Sequence, residues 1–227
     1  MNRFTPYARV VKLHFSPLFL RKRKFSRVFS SNAFDGNESL SGRGSDLDQT
    51  ETIENEIPKL LHKLKVESLL DVPCGDQNWI KRIDLGFLQY TGADIVPALV
   101  KRNIEMFASE NKKFIQLDIV RTVPDMHDLV FCRDLLVHLD TKSIRAALSN
   151  IKKSGATYLL TTTFTNNREY KNLPFLTRRV GWRPINLELN PFNFPQPLLI
   201  INEGCTEGEG LFSDKSLALW KLEDLNI

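Results

Sequence analysis

Apolar positions recur along this chain in two patterns, a helical spacing and short continuous runs. From Asp48 onward Ile53, Ile57, Leu60, Leu61 and Leu64 fall three or four apart. That is the spacing of one helical face, and Asp46 or Asp48 is placed to cap it. The helix leads into residues 68–72, a short apolar run of the kind a strand buried on both faces shows. The run stops at Pro73 and Gly75, after which Asp76 or Asn78 can cap a new helix through Ile80 and Ile83. Further strands are predicted over 89–94, 114–118, 128–132 and 157–164, the last rich in β-branched residues. Helices are predicted from Pro97 and over 143–151, the latter with Thr141 as cap and Gly155 as stop. Two more strands, 198–202 and 216–222, flank a Gly-rich loop over 203–210. Strands alternating with helices predict one α/β domain with a doubly wound, mostly parallel sheet.

Three stretches break the pattern. Residues 32–50 are polar and rich in Gly and Ser, as a linker would be. The same stretch holds Gly42-Arg43-Gly44, whose backbone N–H groups and guanidinium suit a carboxylate. Residues 165–197 carry Asn, Pro and aromatic residues without period, and a loop this long inside a compact domain is functional or disordered. Its aromatics speak against disorder. One reading makes it an acceptor lid with Trp182 and Phe192 as walls and Arg178, Arg179 or Arg183 meeting a polar or anionic acceptor; the other is proline-rich packing on the sheet. Residues 1–30 mix aromatics with Lys and Arg, giving a basic arm that is poorly ordered or loosely docked, that touches an anionic membrane surface, or that is a transit segment. On the first reading, removing them leaves ligand affinity intact.

Chemistry enters where the strands stop. Residues 68–72 end in Asp71, 89–94 in Asp94 and 114–118 in Asp118. In a doubly wound sheet the carboxyl edge faces the ligand. Asp94 lies 23 residues beyond Asp71, close to the offset of about 20 at which a second-strand acid takes ribose hydroxyls. The alternative for Asp94 is an ordinary cap for the helix from Pro97. The first loop has one glycine between two carboxylates, Asp71 and Asp76, which would repel a diphosphate and suit an amine-bearing ligand. No Walker-type Lys follows, so a nucleotide-dependent oxidoreductase or sugar-nucleotide enzyme is disfavoured.

In this order of strand, acid and loop the chain resembles the class I S-adenosylmethionine-dependent methyltransferases. The resemblance covers residues 39–222 and is carried by Asp71-Val72-Pro73-Cys74-Gly75-Asp76, by Asp94 and Asp118, and by Val137-His138-Leu139. It implies S-adenosylmethionine as cofactor and a seven-stranded Rossmann-like sheet whose last strand lies antiparallel beside the fifth. It also implies a cofactor site of Asp71, Cys74, Gly75, Asp94, Ile95 and Arg133. Asp118 would accept from the adenine amine, with Ile119 supplying backbone or apolar contact. Arg133 and Asp134 follow the fourth strand, a neighbour of the first at the switch point, and so face the reactive end. His138 is the candidate base with Asp134 beside it, because its unperturbed pKa lies near neutrality. A histidine in an apolar run is otherwise structural. Cys74 has no basic neighbour to activate it and reads as a packing residue.

Composition narrows the partners. The chain has 227 residues and a formal net charge of +4. Eight of its 31 basic residues and none of its 27 acidic ones lie within 1–34, leaving 23 basic against 27 acidic in residues 35–227. The body therefore lacks the basic face of a nucleic-acid binder. No apolar run approaches the ~20 residues of a spanning helix. Three cysteines without metal-like spacing fit reduced thiols in a cytoplasmic protein and no metal site. Asp125, His127 and Asp128 precede the fourth strand and read as a solvated turn. The expectation is methyl transfer to a small polar acceptor such as a sugar, a metabolite or a lipid headgroup; a non-catalytic module of the same fold is the alternative.

Overall fold

The structure, a computed structural model, describes residues 17–86, 88–173 and 181–227. Among these residues four α-helices, α1 (Pro17–Ser30), α2 (Leu47–Leu64), α3 (Pro97–Phe107) and α4 (Thr141–Lys153), surround one sheet. Its strands are β1 (Ser68–Asp71), β2 (Gln89–Asp94), β3 (Lys112–Gln116), β4 (Leu129–Cys132), β5 (Tyr158–Phe164), β6 (Leu199–Asn202) and β7 (Lys215–Lys221). The order is β3-β2-β1-β4-β5-β7-β6. The first five strands are parallel, whereas β7 runs antiparallel to both β5 and β6. The expected seven-stranded Rossmann-like sheet is present, and its order reverses between β1 and β4, where the crevice for a ligand opens.

Both faces of the sheet are covered, as parallel strands require. Leu70, Val130, Leu159 and Trp220 pack with Ile144, Leu148 and Ile151 of α4. Their neighbours in sequence, Leu69, Leu129, Leu160 and Leu219, point the other way to Ile53, Ile57 and Leu60 of α2 and Val100 of α3. Successive apolar residues of these strands thus pack on opposite faces, the period-two alternation of a strand.

Four local expectations change. No α-helix follows β1; only a 3₁₀ turn forms at Ile80–Arg82. Gln77 adopts a left-handed φ of 62°, and the two candidate caps bind residues 39–45 instead. The cap of α4 is Asp140, whose carboxylate accepts from the Ser143 N–H at 3.0 Å, while Thr141 is the first helical residue. β3 ends at Gln116, so Asp118 lies in the turn beyond it. The 125–128 stretch is a solvated turn only in part: Asp125 is exposed, but His127 is buried against the Thr91 hydroxyl at 2.8 Å. The Asp128 carboxylate accepts from the N–H groups of Glu67 and Ser68, fastening the start of β1.

Candidate active site

The carboxyl ends of β1 and β2 supply the floor of the site. Asp71 is buried and accepts a 2.5 Å hydrogen bond from the Tyr90 hydroxyl, which in turn accepts from Gln77 Nε2 at 2.7 Å. Burial raises the Asp71 carboxyl to about 7 against the opposing pull of that hydroxyl. The loop above it is pinned at both sides: Cys74 N–H reaches the Ala93 carbonyl at 2.9 Å, and Asn103 Nδ2 reaches the Gly75 carbonyl at 2.8 Å. Gly75 has φ +55°, and a Cβ there would meet Ser41 Oγ at 2.4 Å. Only glycine fits so close an approach. The Cys74 thiol is pushed well up by burial, which makes it a poor nucleophile and leaves it a packing role.

Residues 37–45 are not a free linker. Asp76 accepts from Ser39 Oγ at 2.9 Å and from the Leu40 N–H at 2.7 Å, while its own N–H donates to Ser41 Oγ at 2.9 Å. Asp46, at the N-cap position of α2, spends its carboxylate on the N–H groups of Asn37, Glu38 and Ser39. Leu40, Ser41 and Ser45 consequently line the cavity, whereas Arg43 is exposed.

Asp94 stands at the end of β2, also buried, and accepts from the Val96 N–H at 2.9 Å. Burial raises its carboxyl to about 6. Ile95, Val96 and Leu99 continue the wall. Asp118 stands on the same edge but outside the cavity lining. Its carboxylate meets Arg21 of α1, with Nε–Oδ1 and Nη2–Oδ2 both at 3.2 Å. Ile119 is likewise outside the lining and packs in the core beside α4.

The other side of the crevice belongs to the segment after β4. Arg133 is buried and fully engaged: Nη2 donates to Glu203 Oε2 at 2.6 Å and to the Gly44 carbonyl at 2.7 Å. Asp134, at φ 55°, pairs with Lys215 Nζ at 2.7 Å and holds its N–H on Thr162 Oγ1 at 2.9 Å. Burial would raise the Asp134 carboxyl, but Lys215 and Arg133 outweigh it and hold it at about 2. His138 bonds through Nδ1 to the Gly181 carbonyl at 2.8 Å. A carbonyl only accepts, so Nδ1 carries the proton and Nε2 keeps its lone pair. Burial lowers the imidazole pKa, keeping it neutral at pH 7. Phe34 stacks on this ring with centroids 4.8 Å apart, and Phe25 meets it edge-on at 6.4 Å.

Asp71, Cys74, Gly75, Asp94 and Ile95 thus converge with Arg133, Asp134 and His138 on one cavity. Its empty volume is about 950 Å³ with the open mouth included, within the range of small-molecule sites. Tyr90, Lys215 and Glu203, which hold these residues in place, have no local signal in the sequence. Phe25, Val28 and Phe29 of α1 also line the cavity, so the basic arm supplies part of its wall. Among the residues expected to form an acceptor lid, Phe192 lies in the core and Arg183 is buried on the Val137 carbonyl at 2.9 Å and the Tyr170 hydroxyl at 2.9 Å. Trp182 packs edge-on to Phe164 and Phe212. Phe192 is therefore no wall of an open pocket, which matches packing on the sheet at that position. Arg178 and Arg179 lie outside the described residues.

No protein-family model matches the sequence, and comparison with curated proteins finds no match. Solved structures do match. Magnesium protoporphyrin IX methyltransferase (ChlM) from Synechocystis PCC 6803 with bound SAM aligns at TM-score 0.60 and 12% identity, over 96% of this chain and 99% of that one. The N-methyltransferase NodS from Bradyrhizobium japonicum WM9, in complex with S-adenosyl-L-homocysteine, aligns at 0.56 and 16%, over 86% and 97%. The methyltransferase domain of bacterial CtHen1-C aligns at 0.56 and 17%, over 78% and 98%. At these identities the likeness is one of architecture, and the chain has the fold of the class I S-adenosylmethionine-dependent methyltransferases.

Proposed function

We propose that this chain is an S-adenosylmethionine-dependent methyltransferase acting on a small-molecule acceptor by in-line transfer. The observation that carries the proposal is the convergence of Asp94, the Asp71–Gly75 loop and His138 on one cavity at the sheet's switch point. The residues fit the cofactor. Asp94 offers a carboxylate to a ribose diol, and Ile95, Val96 and Leu99 offer an apolar wall to a purine. The one-glycine loop with Asp71 and Asp76 leaves no cradle for a diphosphate. When bound, S-adenosylmethionine supplies a methyl group on a sulfonium that leaves as a neutral thioether.

What remains for the protein is alignment and one proton. Holding two reactants in line is worth about 7–11 kcal/mol. His138 Nε2 takes the proton from an acceptor hydroxyl or amine as its oxygen or nitrogen forms the bond to carbon. The Asp134 carboxylate contributes to the field that stabilises the resulting imidazolium. The acceptor expected from sequence was polar or anionic. Arg183, the one described arginine of those named for the acceptor, is already engaged, as is Arg133 beside the site, and aromatic rings bracket His138, so we assign an uncharged acceptor with a hydroxyl or amine on an apolar skeleton.

A second reading is a module that binds the cofactor without turnover; the Phe34 ring covering one face of His138 favours it. Thermal shift with S-adenosylhomocysteine, NAD and ATP tests cofactor class, and methyl release over a panel of phenols, alcohols and amines tests turnover. Stabilisation by S-adenosylhomocysteine with methyl release is expected. A response to NAD alone would remove the proposal, and binding with no release would leave the module.

A further inference from the structure

α1 reaches across the carboxyl edge of the sheet and is fixed at a point remote in sequence. Arg21 and Asp118 are 97 residues apart, and their side chains are only 7% and 6% exposed. Arg21 Nε lies 3.2 and 3.3 Å from the two carboxylate oxygens, and Nη1 reaches Ser143 Oγ at 3.4 Å. Ser143 is itself held by Asp140, Oγ to Oδ2 at 2.7 Å, at the start of α4. α1 also packs on α3. One turn beyond Arg21, Phe25 faces the cavity, followed by Val28 and Phe29. In a helix, residues 21, 25, 28 and 29 share one face, so seating Arg21 aims the three apolar residues inward. They line the cavity without filling it, which makes α1 a wall and not a plug.

We propose that Arg21 is a positioning residue for the cofactor site: through Asp118 it docks α1 as the outer wall over the bound adenosyl group, so that ligand binding and helix docking are linked. This rests on the methyltransferase reading. It also gives Asp118 a different partner from the one the family resemblance implies. The carboxylate is committed to a guanidinium, and the purine's amino group is not what it reads. A buried pair broken on one side leaves an uncompensated charge, so the helix undocks when either partner is lost. By linkage, whatever stabilises the docked helix slows ligand escape, and bound ligand protects the helix in return.

The experiment uses the full chain and S-adenosylhomocysteine as probe. Affinity and dissociation rate are measured for wild type, Arg21→Ala, Arg21→Lys and the exchanged pair Arg21→Asp with Asp118→Arg. Alongside, tryptic cleavage after the exposed Arg23 and Arg27 is followed with and without ligand. The expected results are a tenfold or larger rise in dissociation rate for Arg21→Ala, partial recovery in Arg21→Lys, and ligand-dependent protection of α1 in wild type that Arg21→Ala loses. The deaminated analogue S-inosylhomocysteine should bind wild type within about threefold of the parent. A folded Arg21→Ala chain with unchanged or tighter binding overturns the proposal, as does cleavage indifferent to ligand or a tenfold penalty for the inosine analogue. If Arg21→Ala fails to fold, Arg21→Lys and the ligand protection in wild type still decide the matter. Wild type that ignores S-adenosylhomocysteine altogether would instead remove the methyltransferase reading.

Discussion

Asp71 and Asp94 are carboxyls whose pKa values burial lifts above the unfolded value, to about 7 and about 6. A raised acid binds more protons folded than unfolded, so its charged form weakens the fold as pH rises from about 4 toward the folded pKa. Asp71→Asn keeps an acceptor for the Tyr90 hydroxyl and lacks that charge. Its melting temperature relative to wild type should therefore climb between pH 4 and 7 and level off above; a gap independent of pH would mean Asp71 is not the group that titrates. Asp94 bears on the ligand as well. Ribose hydroxyls donate to its ionised form, so affinity for S-adenosylhomocysteine should fall as pH drops below about 6. Asp94→Ala should weaken binding by about 1.5–3 kcal/mol, read by titration calorimetry. His138 carries a proton on Nδ1 and a lone pair on Nε2, and general bases contribute about 10²–10⁴ in rate. His138→Gln should lower kcat on that scale while leaving cofactor affinity near wild type; equal losses in both would make its role structural. These acids and the histidine were legible because each ends or follows an apolar strand, the one context in which a polar side chain at that edge must meet a ligand or a partner.

At the level of elements, Asp76 shows what local pattern cannot reveal. Its position promised a helix cap, yet its carboxylate gathers Ser39 and Leu40 from a stretch whose composition reads as linker. Hydrogen-bond partners more than thirty residues away decide the matter, and composition carries no record of them. Asp76→Ala should release residues 39–41, with a loss on the order of 2 kcal/mol in urea unfolding and weaker S-adenosylhomocysteine binding. The basic arm is a similar case. Its charge suggests a poorly ordered or loosely docked segment, but among its described arginines Arg21 is buried while Arg23 and Arg27 are exposed, and burial is a property of what a residue meets. Helix α4 differs at its cap, which lies one residue earlier than expected because Asp140, not Thr141, turns its side chain back to the third N–H.

For the whole molecule, strand number and the mostly parallel sheet were readable, because strands covered on both faces are rich in apolar residues and spaced by crossovers. Less readable was the charged cluster that ties the far half of the sheet to the crevice. Glu203 follows β6 and Lys215 opens β7, and they meet Arg133 and Asp134 from 70 and 81 residues away. Lys215 Nζ lies 2.7 Å from Asp134 and 3.5 Å from Glu203. Glu203→Gln would leave Arg133 and Lys215 short of counter-charge in a buried place, at a cost of about 3–5 kcal/mol by thermal or chemical unfolding. Added salt should recover little of it, since screening hardly reaches buried pairs.

The placement of β7 has a consequence for how the chain assembles. It slots between β5 and β6 although it follows both in sequence, so β5 keeps a bare edge and β6 has no neighbour until β7 is threaded home. During synthesis the five parallel strands therefore emerge with an open flank, exposed to pairing with other nascent chains. Trp220, at the end of that late strand and nearly wholly buried, is a natural fluorescent reporter of the closing step.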